Sequence, residues 1–144
     1  LKDLQLIVAG EFYEDEDKYR RQISDNGLID RVIIKNEFIA DADLRKYFGA
    51  ADLIVQPYKT ATQSGVTQVA FHFEKPCLVT NVGGLGEIIH DGKMGYAAEP
   101  QVDAIADSLM YYYQNDRQAA FTEYLIQEKK KYEWDKMTKA FYSL

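Results

Sequence analysis

The stretch PYKTATQSGVTQVAFHFEKPCLVTNVGG, residues 57–84, decides the fold. It opens with a polar segment rich in Thr and Ser that ends at Gly65. An apolar pattern with helical spacing follows, and after a Lys-Pro pair comes the short apolar run PCLVT, closed by Gly83 and Gly84. A loop, a helix, a short apolar strand and a glycine turn in this order are typical of βαβ units with parallel strands.

The same alternation continues on both sides of this stretch. Short apolar runs predict strands, and apolar residues at helical spacing predict helices between them. The predicted strands are residues 4–9, 31–35, 52–57, 76–80 and 95–97, and the predicted helices are residues 13–26, 44–51, 66–73, 102–109 and 117 to the end. The last helix, in which a break near residues 132–135 is an open alternative, places Trp134, Met137 and Phe141 on one face. We therefore predict an α/β fold, with a parallel sheet flanked by helices on both faces and a buried first strand.

Composition restricts the kind of protein and its partners. The chain has 144 residues, enough for one domain with a real core. A net charge of −6 argues against nucleic acid or an anionic membrane as the main partner. No apolar run reaches the length of a transmembrane segment. The single cysteine, Cys77, excludes an internal disulfide, so we expect a buried thiol and a cytoplasmic protein.

The polar loop before the third predicted helix is the best candidate for a binding site. Ligands of open α/β sheets bind beyond the carboxyl ends of the strands, and a helix N-terminus offers free N–H groups to an anion. The N–H groups of Ser64, Gly65 and Val66, with the hydroxyls of Thr62 and Ser64, suit a phosphate. From composition alone a plain loop with Ser64 as a helix cap is the simpler interpretation. The dinucleotide fingerprint and the P-loop are both absent, which disfavours a nicotinamide cofactor and a P-loop nucleotide.

Three segments together resemble a known family. The series LQLIVAGE, DLRKYFGAADLIVQPY and HFEKPCLVTNVGGLGEIIHDGKMGY is similar to the C-terminal half of the group 1 glycosyltransferases, and NVGGLGEIIHDGKMGY is its most specific part. The resemblance covers nearly the whole chain. It implies a Rossmann-like domain, half of a GT-B fold, that binds a nucleotide-sugar donor for transfer with retention of configuration. It also implies a single domain over residues 1–144, truncated at its N-terminal strand.

The resemblance implies the site residues as well. The loop before the Val66 helix would hold the donor diphosphate, the glycine turn would border the same cleft, and residues 35–38 would lie near the base. No metal or other cofactor is expected, and no catalytic residue is assigned. The residues implied in donor binding are Gly10, Glu11, Thr62, Gln63, Ser64, Gly65, Val66, Gly83, Gly84 and Glu87.

The chain departs from the family pattern at two positions. Ala61 and Val69 stand where the family carries two glutamates that contact the donor sugar, and the neighbouring Gln68 reaches that place only after a shift in helix register. Glu87 matches a family glutamate, and a structural role at the turn is as good an interpretation as a ligand role. These departures leave open an alternative function, a catalytically degenerate module that binds a nucleotide or a protein partner.

The expected partners follow from the same resemblance. They are a nucleotide sugar of the UDP or GDP type and an acceptor sugar or lipid-linked glycan, the latter bound through an N-terminal domain outside this chain. Nucleic acid and a transmembrane segment are not expected. We expect the isolated chain to be inactive in transfer, and the full-length protein to be cytoplasmic, with peripheral contact to the inner membrane as an open alternative.

Overall fold

The computed structural model describes residue 1 and residues 3–131 of the chain. The predicted apolar face of Trp134, Met137 and Phe141 lies outside the described residues. The chain divides into two compact units, Leu1–Arg45 and Lys46–Leu144, and the fold of each is described by itself. Among the described residues, none of the helices combines the length and the hydropathy that a membrane span needs.

The first unit contains one parallel strand pair. β1 (Leu6–Ala9) is followed by α1 (Glu16–Asp25) and by β2 (Val32–Lys35), and the two strands pair in parallel. α1 begins after Asp15, whose carboxylate accepts a hydrogen bond from the Asp17 N–H at 3.0 Å. This side-chain cap satisfies one of the N–H groups that the first helical turn leaves free.

The prediction of a buried first strand is wrong. All four residues of β1 are exposed, and the exposed fractions of Leu6 and Ile7 are 49% and 45%. In the described part of this unit the strand pairs only with β2, so one of its edges has no hydrogen-bonded neighbour. An apolar run shows that a segment favours burial. It does not say which other segment covers it.

The second unit carries a three-stranded parallel sheet and the larger core. Its strands are β3 (Ile54–Gln56), β4 (Cys77–Thr80) and β5 (Gly95–Ala98), paired in the order β3-β4-β5. α2 (Asp41–Ala50) precedes β3 along the chain, and the boundary between the two units falls within this helix. The remaining helices are α3 (Gly65–His72), α4 (Leu85–Ile88), α5 (Val102–Gln114) and α6 (Gln118–Lys131).

β4 lies at the centre of this sheet, and all its residues are buried. Such a strand has hydrogen-bonded neighbours on both edges, and its apolar residues 77–79 suit burial on both faces. Tyr112 and Phe121, from α5 and α6, belong to the same core, and each is 1% exposed. The α/β class with parallel strands and flanking helices is thus confirmed, although the strands form two sheets, one in each unit.

Candidate functional site

The loop between β3 and α3 has the form that the sequence predicts. β3 ends at Gln56 and α3 begins at Gly65, so residues 57–64 form the connection. Ser64 precedes the helix in an extended conformation, with φ −135° and ψ 123°, and is buried. Gly65 and Val66 open the first turn of the helix and are exposed. The loop therefore delivers a helix N-terminus to the surface at the carboxyl end of β3.

The N–H groups at this helix start are free of partners within the described residues. In that part of the chain, no hydrogen bond to another protein group uses the N–H of Ser64, Gly65 or Val66. The Ser64 hydroxyl makes no capping hydrogen bond either, although Ser64 holds the N-cap position. Free N–H groups at a helix N-terminus carry a partial positive charge and suit an anion.

The glycine turn after β4 lies directly against the loop. A Cβ atom added at Gly83 would overlap the carbonyl oxygen of Ala61, and one at Gly84 would lie 2.7 Å from the carbonyl oxygen of Thr62. Gly83 also has a φ of +51°, which favours glycine. The structure therefore brings the two predicted segments, loop and glycine turn, into backbone contact, and the missing side chains make this approach possible.

The remaining predicted residues lie in different places. Thr62 and Gln63 are exposed on the loop itself, and Glu87 is exposed on the four-residue helix α4. Gly10 and Glu11 belong to the first unit, just after β1. The binding roles of all these residues remain predictions.

Polar side chains that are buried next to the loop were not predicted from the sequence. Gln56, Thr67 and Thr80 are at most 2% exposed, and they lie at the ends of β3 and β4 and in the first turn of α3. Gln56 and Thr67 are joined by hydrogen bonds of 3.0 and 3.1 Å. The signal that could have found them was a glutamine inside an otherwise apolar strand next to Pro57, because a buried amide needs partners.

Covalent catalysis by the one cysteine has no support in this geometry. Burial raises the pKa of the Cys77 thiol to about 12, so the thiol stays protonated and is a poor nucleophile. Among the described residues, no group of three His, Cys, Asp or Glu side chains is placed to hold a metal ion. What this edge of the sheet offers to a ligand is main-chain N–H groups and hydroxyls.

The comparison with protein families identifies the class of protein. A family model described as "Glycosyl transferases group 1" matches residues 1–115. The match covers well over half of the chain, so the chain belongs to the group 1 glycosyl transferases.

Individual relatives agree with this assignment. A D-inositol 3-phosphate glycosyltransferase of Paenarthrobacter aurescens (strain TC1) is 32% identical over 94 residues, which are 65% of this chain and 23% of the relative. The chain thus spans about a quarter of the length of that relative.

Solved structures share the fold at lower identity. The C-terminal domain of a glycosyl transferase group 1 family protein, LpcC, from Francisella tularensis is similar with a TM-score of 0.78 at 20% identity, over 92% of this chain and 72% of that one. Anabaena HepE in complex with UDP-glucose is similar with a TM-score of 0.72 at 22% identity, over 97% of this chain and 41% of that one. At such identities the likeness shows the fold alone.

Proposed function

We propose that this chain binds the diphosphate group of a nucleotide-sugar donor, of the UDP or GDP type, as part of a glycosyltransferase. The observation that carries the proposal is that the N–H groups of Ser64, Gly65 and Val66, at the start of α3, have no partner within the described part of the chain. Family membership supports the activity. HepE, whose fold this chain shares, was solved in complex with UDP-glucose, which supports the donor class.

Main-chain N–H groups can perform most of the chemistry that the proposal needs at the start of α3. In glycosyl transfer the bond between the sugar and the diphosphate breaks, and the leaving diphosphate gains negative charge. N–H groups held in fixed positions stabilise charge as it develops, with no reorganisation at the moment of reaction. The first turn of α3 is suited to this role, and the Thr62 and Ser64 hydroxyls add two donors. No metal ion is required in this scheme.

The proposal extends to the stereochemistry of transfer, to the acceptor and to the location of the protein. We infer that transfer proceeds with retention of configuration, which proton NMR of the product's anomeric centre tests. The acceptor, a sugar or a lipid-linked glycan, is bound outside this chain, in keeping with the 23% of the relative that the chain spans. A cytoplasmic location, expected from the single Cys77, stays a prediction.

Titration with nucleotide tests the donor site. Amide shifts in two-dimensional NMR are followed while UDP or GDP is added, with uridine and guanosine as phosphate-free controls. We expect the largest shifts for residues 60–66 and for Gly83 and Gly84, with UDP or GDP but not with the nucleosides. If these amides are unmoved at millimolar nucleotide, the diphosphate site is misplaced and the donor proposal fails.

The alternative of a catalytically degenerate module is favoured by one observation. Ala61 and Val69 offer no carboxylate where the family resemblance places two glutamates. Such a module binds UDP or GDP but leaves a nucleotide sugar intact. Release of free nucleotide from UDP-glucose or GDP-mannose by the full-length protein, measured with and without candidate acceptors, separates the two functions.

A further inference from the structure

The buried polar side chains of this chain are concentrated at one place. Among the described residues, and apart from the tyrosine hydroxyl of Tyr112 in α5, the buried polar side chains are those of Gln56, Ser64, Thr67 and Thr80. All of them lie at the carboxyl ends of β3 and β4 or at the start of α3. Burying an amide or a hydroxyl costs free energy unless it is hydrogen-bonded. The concentration of these polar side chains around one loop therefore indicates a specific role.

Gln56 and Thr67 are joined by two hydrogen bonds. The Gln56 amide nitrogen donates to Thr67 Oγ1 at 3.0 Å, and the Thr67 hydroxyl donates to the Gln56 amide oxygen at 3.1 Å. Gln56 is the last residue of β3, and Thr67 is the third residue of α3. The pair therefore connects the end of a rigid strand to the first turn of the helix, across the loop that separates them.

Thr80 fixes the other end of the same loop. Its hydroxyl lies 2.6 Å from the carbonyl oxygen of Tyr58 and 3.4 Å from that of Gln56. Since Thr80 is the last residue of β4, the start of the loop is held by the central strand of the sheet. Both ends of residues 57–64 are thus held by directed hydrogen bonds, of which the one to Tyr58 is part-buried and the others are buried.

We propose that the Gln56–Thr67 pair is a positioning device for the first turn of α3. The pair fixes the position of the N–H groups of residues 64–66 relative to the sheet, so that these groups point to the donor diphosphate. Neither side chain contacts the phosphate in this scheme, so both are positioning residues. The inference rests on the proposed function, because the diphosphate is the ligand whose affinity the pair sets.

Directed hydrogen bonds explain why a polar pair occupies this place. Apolar side chains of similar size fill the same volume but allow a short helix to rotate or slide by a fraction of a turn. An amide and a hydroxyl can each donate and accept, and here they satisfy one another only when α3 has one position relative to β3. A purely structural pair affects stability alone. A positioning pair also affects the affinity for diphosphate, while the affinity for the nucleoside is unchanged.

Four variants of the chain separate these two roles. Thr67→Val removes the hydroxyl and keeps the shape, and Thr67→Ser keeps the hydroxyl as the matched control. Gln56→Met removes the amide, and the double variant Gln56→Met/Thr67→Val replaces the whole pair with apolar groups. Replacing both partners relieves the penalty of an unsatisfied buried group, so the double variant should recover stability relative to either single variant.

The readouts are urea unfolding and the dissociation constants for UDP and for uridine. We expect Thr67→Val to weaken UDP binding about tenfold, Thr67→Ser to stay within about twofold, and uridine binding to be unchanged in both. The double variant should regain stability but keep the weak UDP binding. If UDP affinity recovers together with stability, or if Thr67→Val leaves UDP affinity at the wild-type value, the positioning role is overturned.

A second readout keeps this inference separate from the donor proposal. If the wild-type chain shows no response to UDP, the proposed function fails. In that case the positioning role is tested without nucleotide, by comparing the NMR amide shifts and the hydrogen-exchange rates of residues 64–66 between the wild type and the variants. These shifts and rates should change in Thr67→Val and be preserved in Thr67→Ser. Equal spectra for the two variants would refute the positioning role.

Discussion

Gly83 lies so close to the carbonyl group of Ala61 that a Cβ atom at position 83 would overlap the carbonyl oxygen. The two residues belong to different connections, one following β4 and the other following β3. Their contact brings two segments of the candidate donor site together without any side chain between them. The contact lies at Ala61 and Thr62, a few residues before α3 begins at Gly65, where the proposed site has its N–H groups.

The contact between Gly83 and Ala61 predicts that alanine substitution lowers stability more at Gly83 than at Gly92, although both glycines have a positive φ. Gly83 has φ +51° and a crowded Cβ position, whereas Gly92 has φ +72° and no atom within 4 Å of an added Cβ. Gly92→Ala should cost only backbone strain, about 1 kcal/mol. Gly83→Ala should cost about 3 kcal/mol or more, because the loop must also move. Urea unfolding measures both, and equal losses would contradict the backbone contact.

A proline at position 65 tests the N–H groups with little risk to the fold. Gly65 is the first residue of α3, a position that tolerates proline, and Ser64 already has the extended conformation that a following proline requires. Gly65→Pro removes one N–H group and should weaken UDP binding about tenfold or more, because hydrogen bonds to charged groups contribute about 1.5–3 kcal/mol. Isothermal titration of UDP measures the effect.

The control for this variant is Gly65→Ala. It keeps the N–H group, and a Cβ atom at position 65 meets no atom within 4 Å. We expect UDP affinity close to wild type and a slight gain in stability, since alanine favours the helix over glycine. Unchanged binding by Gly65→Pro would show that the phosphate does not contact this N–H group.

The buried hydroxyl of Tyr112, in α5, predicts an effect on stability. Tyr112 is 1% exposed and donates a hydrogen bond of 2.9 Å to the carbonyl oxygen of Asp52. Tyr112→Phe leaves that carbonyl without this partner and should lower the free energy of unfolding by about 1–2 kcal/mol. The neighbouring Tyr111 is 53% exposed, so Tyr111→Phe should change stability by less than about 0.5 kcal/mol. Thermal and urea unfolding of the two variants provide the comparison.

Cys77 predicts a loss of stability at alkaline pH. Burial raises the pKa of its thiol from 9.0 to about 12. Between these values the unfolded chain loses a proton that the folded chain keeps, so stability is full below pH 9 and falls as the pH rises toward 12. From pH 9 to 10 this one group should remove about 1 kcal/mol.

The alkaline effect is measured by urea unfolding at pH 8, 9 and 10 in the wild type and in Cys77→Ala. The variant is less stable at every pH because of the cavity it creates, but its loss between pH 9 and 10 should be smaller by about 1 kcal/mol. The native thiol should also resist a thiol reagent at pH 8 that labels the urea-unfolded chain quickly. Equal alkaline slopes, or fast labelling of the native chain, would contradict a buried thiol.

Much of the second unit could be predicted from local sequence. Residues 77–79 are apolar and Val79 and Thr80 are β-branched, which suits a strand buried on both faces, and the run forms the central strand. Gly65 marks the start of α3 because the polar loop before it changes to an apolar helical pattern there. The loop and the glycine turn were also predicted to border one cleft, and the structure places them in contact.

Other features could not be predicted because they depend on which segments meet. The apolar pattern of β1 indicated a buried strand, but all of its residues are exposed. The pairing of Gln56 with Thr67 was missed since both residues lie in apolar patterns, where a single polar residue has no recognisable partner in sequence.

The sequence by itself determined the order of strands and helices, the positions of the turns and the family. These properties depend on periodicity, on glycine placement and on short motifs, all of which are local. Only the tertiary structure decided that Gly83 lies against the backbone at Ala61, that Gln56 and Thr67 share two hydrogen bonds, and that the N–H groups in the first turn of α3 have no partner among the described residues. The physical reason is that close approach and hydrogen-bond satisfaction are decided between segments separated along the chain, and both depend on how those segments pack.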